Sequence, residues 1–158
     1  MPTRRRFLSL VGTSAIAAAG GVLIAGCGSK AANPDGPPEI RYGQERCAYC
    51  TMSIDDARFA SAWRVARTER HFDDIGCMVN ASRRESLPSE VRFWVHDYTD
   101  EAWLDASQAT YVIASAIKTP MAYGVAAFAT AAKASSTVPA AKTTLTWTDV
   151  LSAVEREG

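Results

Sequence analysis

A β-strand is predicted for the stretch Phe59-Ala60-Ser61-Ala62-Trp63-Arg64-Val65. Apolar and polar residues partly alternate along it, and it contains aromatic residues, which are common in strands. Arg70-His71-Phe72 follows shortly afterwards and is expected to return as its partner strand. Asp73 or Asp74 can then cap a short helix through Ile75-Gly76-Cys77-Met78-Val79, because a carboxylate accepts the free amide hydrogens of a first helical turn. The stretch therefore predicts the order strand, strand, helix.

A second set of elements is predicted after the turn-forming residues 85–89. Residues 91–98 are typical of a strong strand, and residues 109–113 predict another. Residues 144–147 are expected to add a last strand. Thr148-Asp149 is expected to cap a terminal helix.

A further helix is predicted between these strands. Thr119 and Pro120 are expected to open an apolar helix from Met121 to about Ala132, with Thr119 as the cap and proline in the first turn. Only two copies of the pattern are visible, which argues against a long solenoid. We therefore expect an α+β fold of two tandem β-β-α-β units that form one compact domain after a signal peptide and a tether.

Residues 1–26 are typical of a lipoprotein signal peptide. Thr3-Arg4-Arg5-Arg6-Phe7-Leu8 puts a basic cluster before an apolar stretch, and its arginine pair resembles a twin-arginine export signal. Small residues precede Cys27, which is expected to be acylated and to become the mature N-terminus. The alternative is an uncleaved membrane anchor, since residues 7–26 are nearly long enough to span a bilayer. Four glycines and many alanines make that segment only moderately apolar.

The rest of the chain is divided into a tether and a domain. Residues 27–44 are predicted to be the acylated N-terminus and a flexible tether, because Asn33-Pro34-Asp35-Gly36-Pro37-Pro38 is polar, turn-rich and aperiodic. Residues 45–158 are predicted to form the folded domain. The lipid on Cys27 would hold it on the outer face of the cytoplasmic membrane or on the periplasmic side of the cell envelope.

The charge and the motifs exclude several classes of protein. The chain is formally neutral, and without its three signal-peptide arginines it has 14 basic and 17 acidic residues. No clustered basic face is visible, so a nucleic-acid partner is not expected. There is no nucleophile motif and no glycine-rich phosphate loop, so we expect no catalysis of its own.

Sulfur-bearing residues are concentrated in Cys47-Ala48-Tyr49-Cys50-Thr51-Met52. The Cys-x-x-Cys pair places two sulfurs within reach across a turn, while Cys50 and Met52 would share one face of an extended chain. Thiolate and thioether are soft donors, a combination that favours Cu(I) over Zn(II), Mg(II) or Ca(II). Zinc is more usually held by four Cys or His ligands.

Other interpretations of this motif stay open on sequence grounds. Cys47 and Cys50 could instead form a structural or redox disulfide, and an isolated methionine such as Met52 is more often a core residue than a ligand. If Cys27 is lipidated, three thiols remain, so at least one of them must be reduced or bound to a metal.

Two further sets of candidate ligands are weaker. Cys77 and Met78 lie in an apolar helical pattern and are expected to be buried, with Cys77 as an accessory thiol at most. His71 and His96 flank or lie within strands, where a structural histidine is the default.

Four sequence blocks follow one another in a characteristic order. The blocks are Cys47-Ala48-Tyr49-Cys50-Thr51-Met52-Ser53-Ile54, Phe72-Asp73-Asp74-Ile75-Gly76-Cys77-Met78, Asp97-Tyr98 with Trp103-Leu104-Asp105-Ala106, and Thr119-Pro120-Met121. In this order they resemble the NosL family of copper-binding lipoproteins. The resemblance covers roughly residues 45–150, and the order and spacing of several blocks are more specific than any one of them.

This resemblance implies a tandem β-β-α-β fold, distantly similar to part of organomercurial lyase. It implies a Cu(I) metallochaperone that serves denitrification, with nitrous-oxide reductase or its assembly transporter as partner. By position, the implied metal ligands are Cys50 and Met52 first, then Cys47 and Met121. The family typically has glycine after Pro-Met, whereas this chain has Ala122. The alternatives are a membrane-tethered thiol-disulfide oxidoreductase that uses the two motif cysteines, or a structural zinc module.

Overall fold

The computed structural model describes residue 33, residues 35–141 and residues 143–154. The signal peptide, the acylation site at Cys27 and the beginning of the tether lie outside these residues and remain predictions. Within the described part of the chain, no helix has both the length and the apolar character needed to cross a bilayer.

Four antiparallel strands form the larger sheet, in the order β2-β1-β3-β4. The two central strands are β1 (Ser61–Val65) and β3 (Arg92–His96). The outer strands are β2 (Thr68–Phe72) and β4 (Trp103–Asp105). The predictions of β1, β2 and β3 are confirmed. Strand β4 was not predicted, because its three residues are too few to show alternation.

Helix α1 (Ile75–Arg84) follows β2 directly, as predicted, and packs against β1 and β2. Asp74 is its N-cap, and one carboxylate oxygen accepts a hydrogen bond from the Gly76 N–H at 2.8 Å. Cys77 and Met78 are fully buried, which confirms that expectation. The helix runs five residues further than the predicted Val79 because its face remains buried through Ala81.

The second sheet contains β5 (Thr110–Ile113) and β6 (Val125–Phe128), paired antiparallel. The predicted helix from Met121 to about Ala132 is therefore wrong. Two residues there have the left-handed φ that a right-handed helix excludes, +61° at Ala122 and +67° at Gly124. Thr119 caps no helix, because its hydroxyl accepts a hydrogen bond from the Gly124 N–H at 3.2 Å and closes the loop before β6.

Two short helices complete the fold. Helix α2 (Ala131–Thr137) is capped by Thr130 and packs on the second sheet. Helix α3 (Trp147–Ala153) is capped by Thr146, with Asp149 as the acidic partner of a capping box. The expected cap at Thr148-Asp149 is thus wrong by two residues. The predicted strand over residues 144–147 is also wrong, since only Leu145 pairs, in a single bridge to Tyr111.

The described elements are mixed α and β, which confirms the α+β class. The main core lies between α1 and the larger sheet, and a smaller cluster lies under α2. Asp97, at the end of β3, joins the two sheets through a parallel bridge to Ala127. In the described residues of the second predicted unit, a strand stands where the helix was expected, and a single bridge at Leu145 stands where the last strand was expected. The equivalence of two tandem β-β-α-β units therefore stays a prediction.

Part of the segment predicted as tether contacts the larger sheet. Guanidinium groups of Arg64 and Arg92 donate to the backbone oxygens of Gly36 and Asp35, at 2.8 and 2.6 Å. Ile40 is buried and belongs to the main core cluster. These contacts place the residues just before the cysteine motif against the sheet.

Candidate metal centre

The loop that carries the Cys-x-x-Cys motif is closed by its own backbone. The Cys47 N–H donates to the Met52 carbonyl at 2.8 Å, and the Thr51 N–H donates to the Cys47 carbonyl at 3.1 Å. Thr51 has a left-handed φ of +68°, which turns the chain back. A bridge between Arg46 and Ser53 completes the closure. The spacing of the motif is therefore realised as one tight turn.

This loop lies against the end of β2. The Ala48 N–H donates to the His71 carbonyl at 2.9 Å. On the far side of the loop, the Arg84 guanidinium lies 4.5 Å from the centroid of the Tyr49 ring. These contacts bring the loop next to Asp73, which follows β2.

Four potential ligand atoms converge at this junction. They are the Sγ atoms of Cys47, Cys50 and Cys77 and a carboxylate oxygen of Asp73, all within 4.8 Å of one another. The three cysteines are free thiols. Three members are buried, and Cys50 is partly exposed. We call these four residues the thiol cluster.

Hydrogen bonds inside the thiol cluster concentrate negative charge on Cys47. A hydrogen bond from Cys77 outweighs burial and lowers the pKa of Cys47 to about 7, with further help from backbone N–H groups. The same bond, together with burial, raises the pKa of Cys77 well above its usual range. Burial raises the pKa of Cys50 to about 12, and its thiol donates to Asp73 at 3.3 Å. The cluster is therefore a partly charged sulfur site whose remaining protons a bound metal would displace.

The two methionines of the predicted ligand set differ in their exposure. Met52 is 47% exposed, so it is not a core residue. Met121 is partly buried against the main core, and its N–H donates at 3.1 Å to the Asp74 oxygen that does not cap α1. Asp74 thus ties the Met121 loop to the first turn of the helix that carries Cys77.

Two of the four cluster residues, Cys47 and Cys50, are predicted as ligands from the sequence. The sequence predicts Asp73 only as a possible helix cap and Cys77 only as an accessory thiol. The available signal is that Asp73 directly precedes the N-cap of α1 and Cys77 lies in the first turn, so both belong to the start of the same helix.

The histidines lie outside the thiol cluster. His96 is buried, its ring lies 3.6 Å from the Trp103 ring by centroids, and its Nε2 is 3.1 Å from the Tyr42 hydroxyl. His71 Nδ1 is 2.5 Å from a Glu45 carboxylate oxygen. Both are held by structural contacts, as expected from the sequence.

Comparisons with known proteins identify relatives of this arrangement. The sequence model of the NosL family matches residues 39–151, a range that includes the whole thiol cluster. The fold is similar to the crystal structure of the copper chaperone NosL from Shewanella denitrificans, with a TM-score of 0.52 and 16% identity. That match covers 72% of this chain and 96% of the other. The search of curated proteins finds no match.

These matches decide three of the expectations from sequence. They confirm the resemblance to NosL and the α+β fold. NosL is a family of copper chaperones and not of enzymes, so the expectation of no catalysis is also confirmed.

Proposed function

This chain belongs to the NosL family, and we propose that it is a metallochaperone that binds Cu(I) outside the cytoplasm and delivers it to nitrous-oxide reductase. The observation that carries this proposal is the convergence of three thiol sulfurs within 4.8 Å beside an exposed methionine. We assign Cys50, Met52, Cys47 and Met121 as the copper ligands.

The donor set supports a soft, monovalent cargo. Thiolates and thioethers prefer Cu(I), whereas Mg(II) and Ca(II) need oxygen ligands. Three thiolates and Asp73 could also hold Zn(II), which structural sites enclose with four ligands. Here the partly exposed Cys50 and the exposed Met52 leave one side of the site open. An open site suits a metal that must leave again.

Delivery would proceed by ligand exchange without oxidation or reduction. A thiolate or thioether of the recipient joins the copper ion from the open side, and one original ligand then leaves. Each complete exchange forms one copper–sulfur bond and breaks another, and no electron is transferred, so the ion stays Cu(I). The partial exposure of Cys50 and Met52 supports this route, because an incoming ligand needs access to the metal from solvent.

The geometry is unfavourable for the alternative of a thiol-disulfide oxidoreductase. Such an enzyme needs an accessible thiolate as nucleophile. In this chain the thiol with the lowered pKa, Cys47, is only 2% exposed. The more accessible Cys50 has a pKa raised to about 12 by burial. The thiol that ionises more easily, Cys47, is therefore not the thiol that a substrate can reach, Cys50.

We also propose that a lipid on Cys27 anchors the chain at the membrane, facing away from the cytoplasm. The tether predicted for residues 27–44 would link this lipid to the domain, and its residues 35 and 36 contact the larger sheet. The partners would be the copper enzyme or its assembly transporter. Anchoring keeps the chaperone near a transporter in the same membrane.

The test is delivery in a strain whose own gene is replaced by variants. Wild type should load nitrous-oxide reductase with copper, measured by metal analysis of the purified enzyme, while a Cys47→Ser, Cys50→Ser double variant should leave it copper-deficient. Full loading by the double variant would overturn the delivery role. Cys27→Ser should give an unprocessed or soluble chain, and a normally membrane-anchored product would refute the lipid anchor.

A further inference from the structure

We infer that Cys77 is a third thiolate ligand of Cu(I) and that it forms, with Cys47, an inner pair that holds copper until Cys50 and Met52 have exchanged. This inference rests on the proposed function, because an order of release exists only if copper binds. From the sequence alone, Cys77 is expected to be at most an accessory thiol.

The sulfur separations are close to those of a three-sulfur site. With metal–thiolate bonds of about 2.3 Å, the sulfurs of a trigonal site lie about 4.0 Å apart and those of a linear site about 4.6 Å apart. All pairs among Cys47, Cys50 and Cys77 are within 4.8 Å. Cys77 is therefore as well placed for a shared metal ion as the two motif cysteines.

Cys77 is also the most rigidly placed of the three thiols. It lies in the first turn of α1, on a regular helix. Asp74 caps this turn, and the Tyr123 side chain lies directly over Gly76, 2.2 Å from where a Cβ would be. The turn therefore cannot shift without disturbing its neighbours, whereas Cys50 lies in a surface loop.

Exposure sets the order in which ligands can leave. Cys77 is 0% and Cys47 2% exposed, while Met52 is 47% exposed and Cys50 is partly exposed. A buried thiolate without a partner is costly, so an inner ligand gains nothing by detaching first. A recipient reaches the ion from the outer side, where a released ligand can enter water. The outer pair exchanges first, and the inner pair holds the ion until then.

Cu(I) competition with a chromophoric chelator tests the third ligand. Cys77→Ser should weaken Cu(I) binding about tenfold or more, since even residues that only support metal ligands contribute this much. Val79→Ala, which removes buried volume from the same helix without removing sulfur, is the matched control and should bind as wild type does. Transfer of Cu(I) to the chelator should accelerate more in Cys77→Ser than in Cys50→Ser. Unchanged affinity in a folded Cys77→Ser protein, or the reverse order of rates, would overturn the inference.

X-ray absorption on copper-loaded protein keeps the inference testable if Cys77→Ser does not fold. A Met52→Leu, Met121→Leu variant retains only the cysteines among the assigned sulfur ligands, so three sulfurs per copper are expected and two would refute a ligand role for Cys77. The two proposals fail differently. If wild type binds no Cu(I), the proposed function fails, whereas equal binding by wild type and Cys77→Ser removes only Cys77.

Discussion

Replacing Met52 by leucine separates a copper ligand from a packing residue. Leucine preserves most of the volume and all of the apolar character of methionine, but it cannot donate an electron pair to a metal. Met52 is assigned as an outer ligand, and its side chain is 47% exposed. Met78 is a matched control, because it is also a methionine but is fully buried in α1.

Because Met52 is exposed and Met78 is buried, the two substitutions should have opposite effects on stability and on Cu(I) affinity. Met52→Leu should change the free energy of unfolding by no more than about 0.5 kcal/mol, as for other surface positions. Its Cu(I) affinity should fall about tenfold, or about 1.4 kcal/mol of binding free energy. Met78→Leu should cost up to about 1.5 kcal/mol of stability, because it repacks the core. The Cu(I) affinity of that control should be preserved.

Urea unfolding of the metal-free proteins and anaerobic Cu(I) competition give the two readouts. The reasoning is refuted if Met52→Leu binds Cu(I) as tightly as wild type. Met121→Leu, measured in the same way, tests whether the loop held by Asp74 supplies a second thioether. An effect at Met52 without one at Met121 would restrict the copper to the thiol cluster and its loop.

Three further predictions concern backbone strain, packing and pH. Ala122→Gly should stabilise the fold by up to about 1 kcal/mol in thermal unfolding, because alanine has a φ of +61° there; Ala102→Gly, in another loop, should instead destabilise. Gly76→Ala should cost about 1–3 kcal/mol and weaken Cu(I) binding, because its Cβ would overlap the Tyr123 ring; an unchanged melting temperature would contradict this. Burial lowers the pKa of His96 to about 4, below about 6.5 in the unfolded chain, so stability present above pH 6.5 should be lost progressively toward pH 4, by up to about 3 kcal/mol. A His96→Gln protein that loses the same stability over this range would exclude His96 as the cause.

The first half of the fold was predictable because its signals are local. The strands around Trp63 alternate or carry aromatics, and a carboxylate directly precedes the helix that it caps. The approach of the Cys47 and Cys50 sulfurs was also predictable, since a Cys-x-x-Cys spacing brings two sulfurs together across a turn. In these segments the local pattern and the tertiary structure agree.

In the second half of the fold, the sequence-based prediction is wrong where tertiary contacts override the local helix propensity. Strand β6 reads Val-Ala-Ala-Phe and is followed by more alanines, a composition that favours helix. It is a strand because it pairs with β5 and is buried on both faces, and neither fact is visible in its own residues. The left-handed φ of Ala122 is equally hidden, since alanine rarely adopts it.

The composition of the thiol cluster depends on non-local contacts. Cys77 is 30 residues from Cys47 in the chain, and they meet only because the motif loop docks on His71 at the end of β2. Asp73 enters the cluster by the same docking. A sequence pattern can indicate such residues as candidates, but it does not show how close together they lie in the fold.

Competition between Cu(I) and Zn(II) for the reduced domain shows whether the thiol cluster binds copper as Cu(I). The protein from about residue 30 onward should bind one Cu(I) tightly and Zn(II) much more weakly, and a Cys47→Ser, Cys50→Ser double variant should lose most of its Cu(I) affinity. Full Cu(I) affinity in that double variant, or tighter binding of Zn(II) than of Cu(I) by wild type, would contradict a Cu(I) site at the cluster.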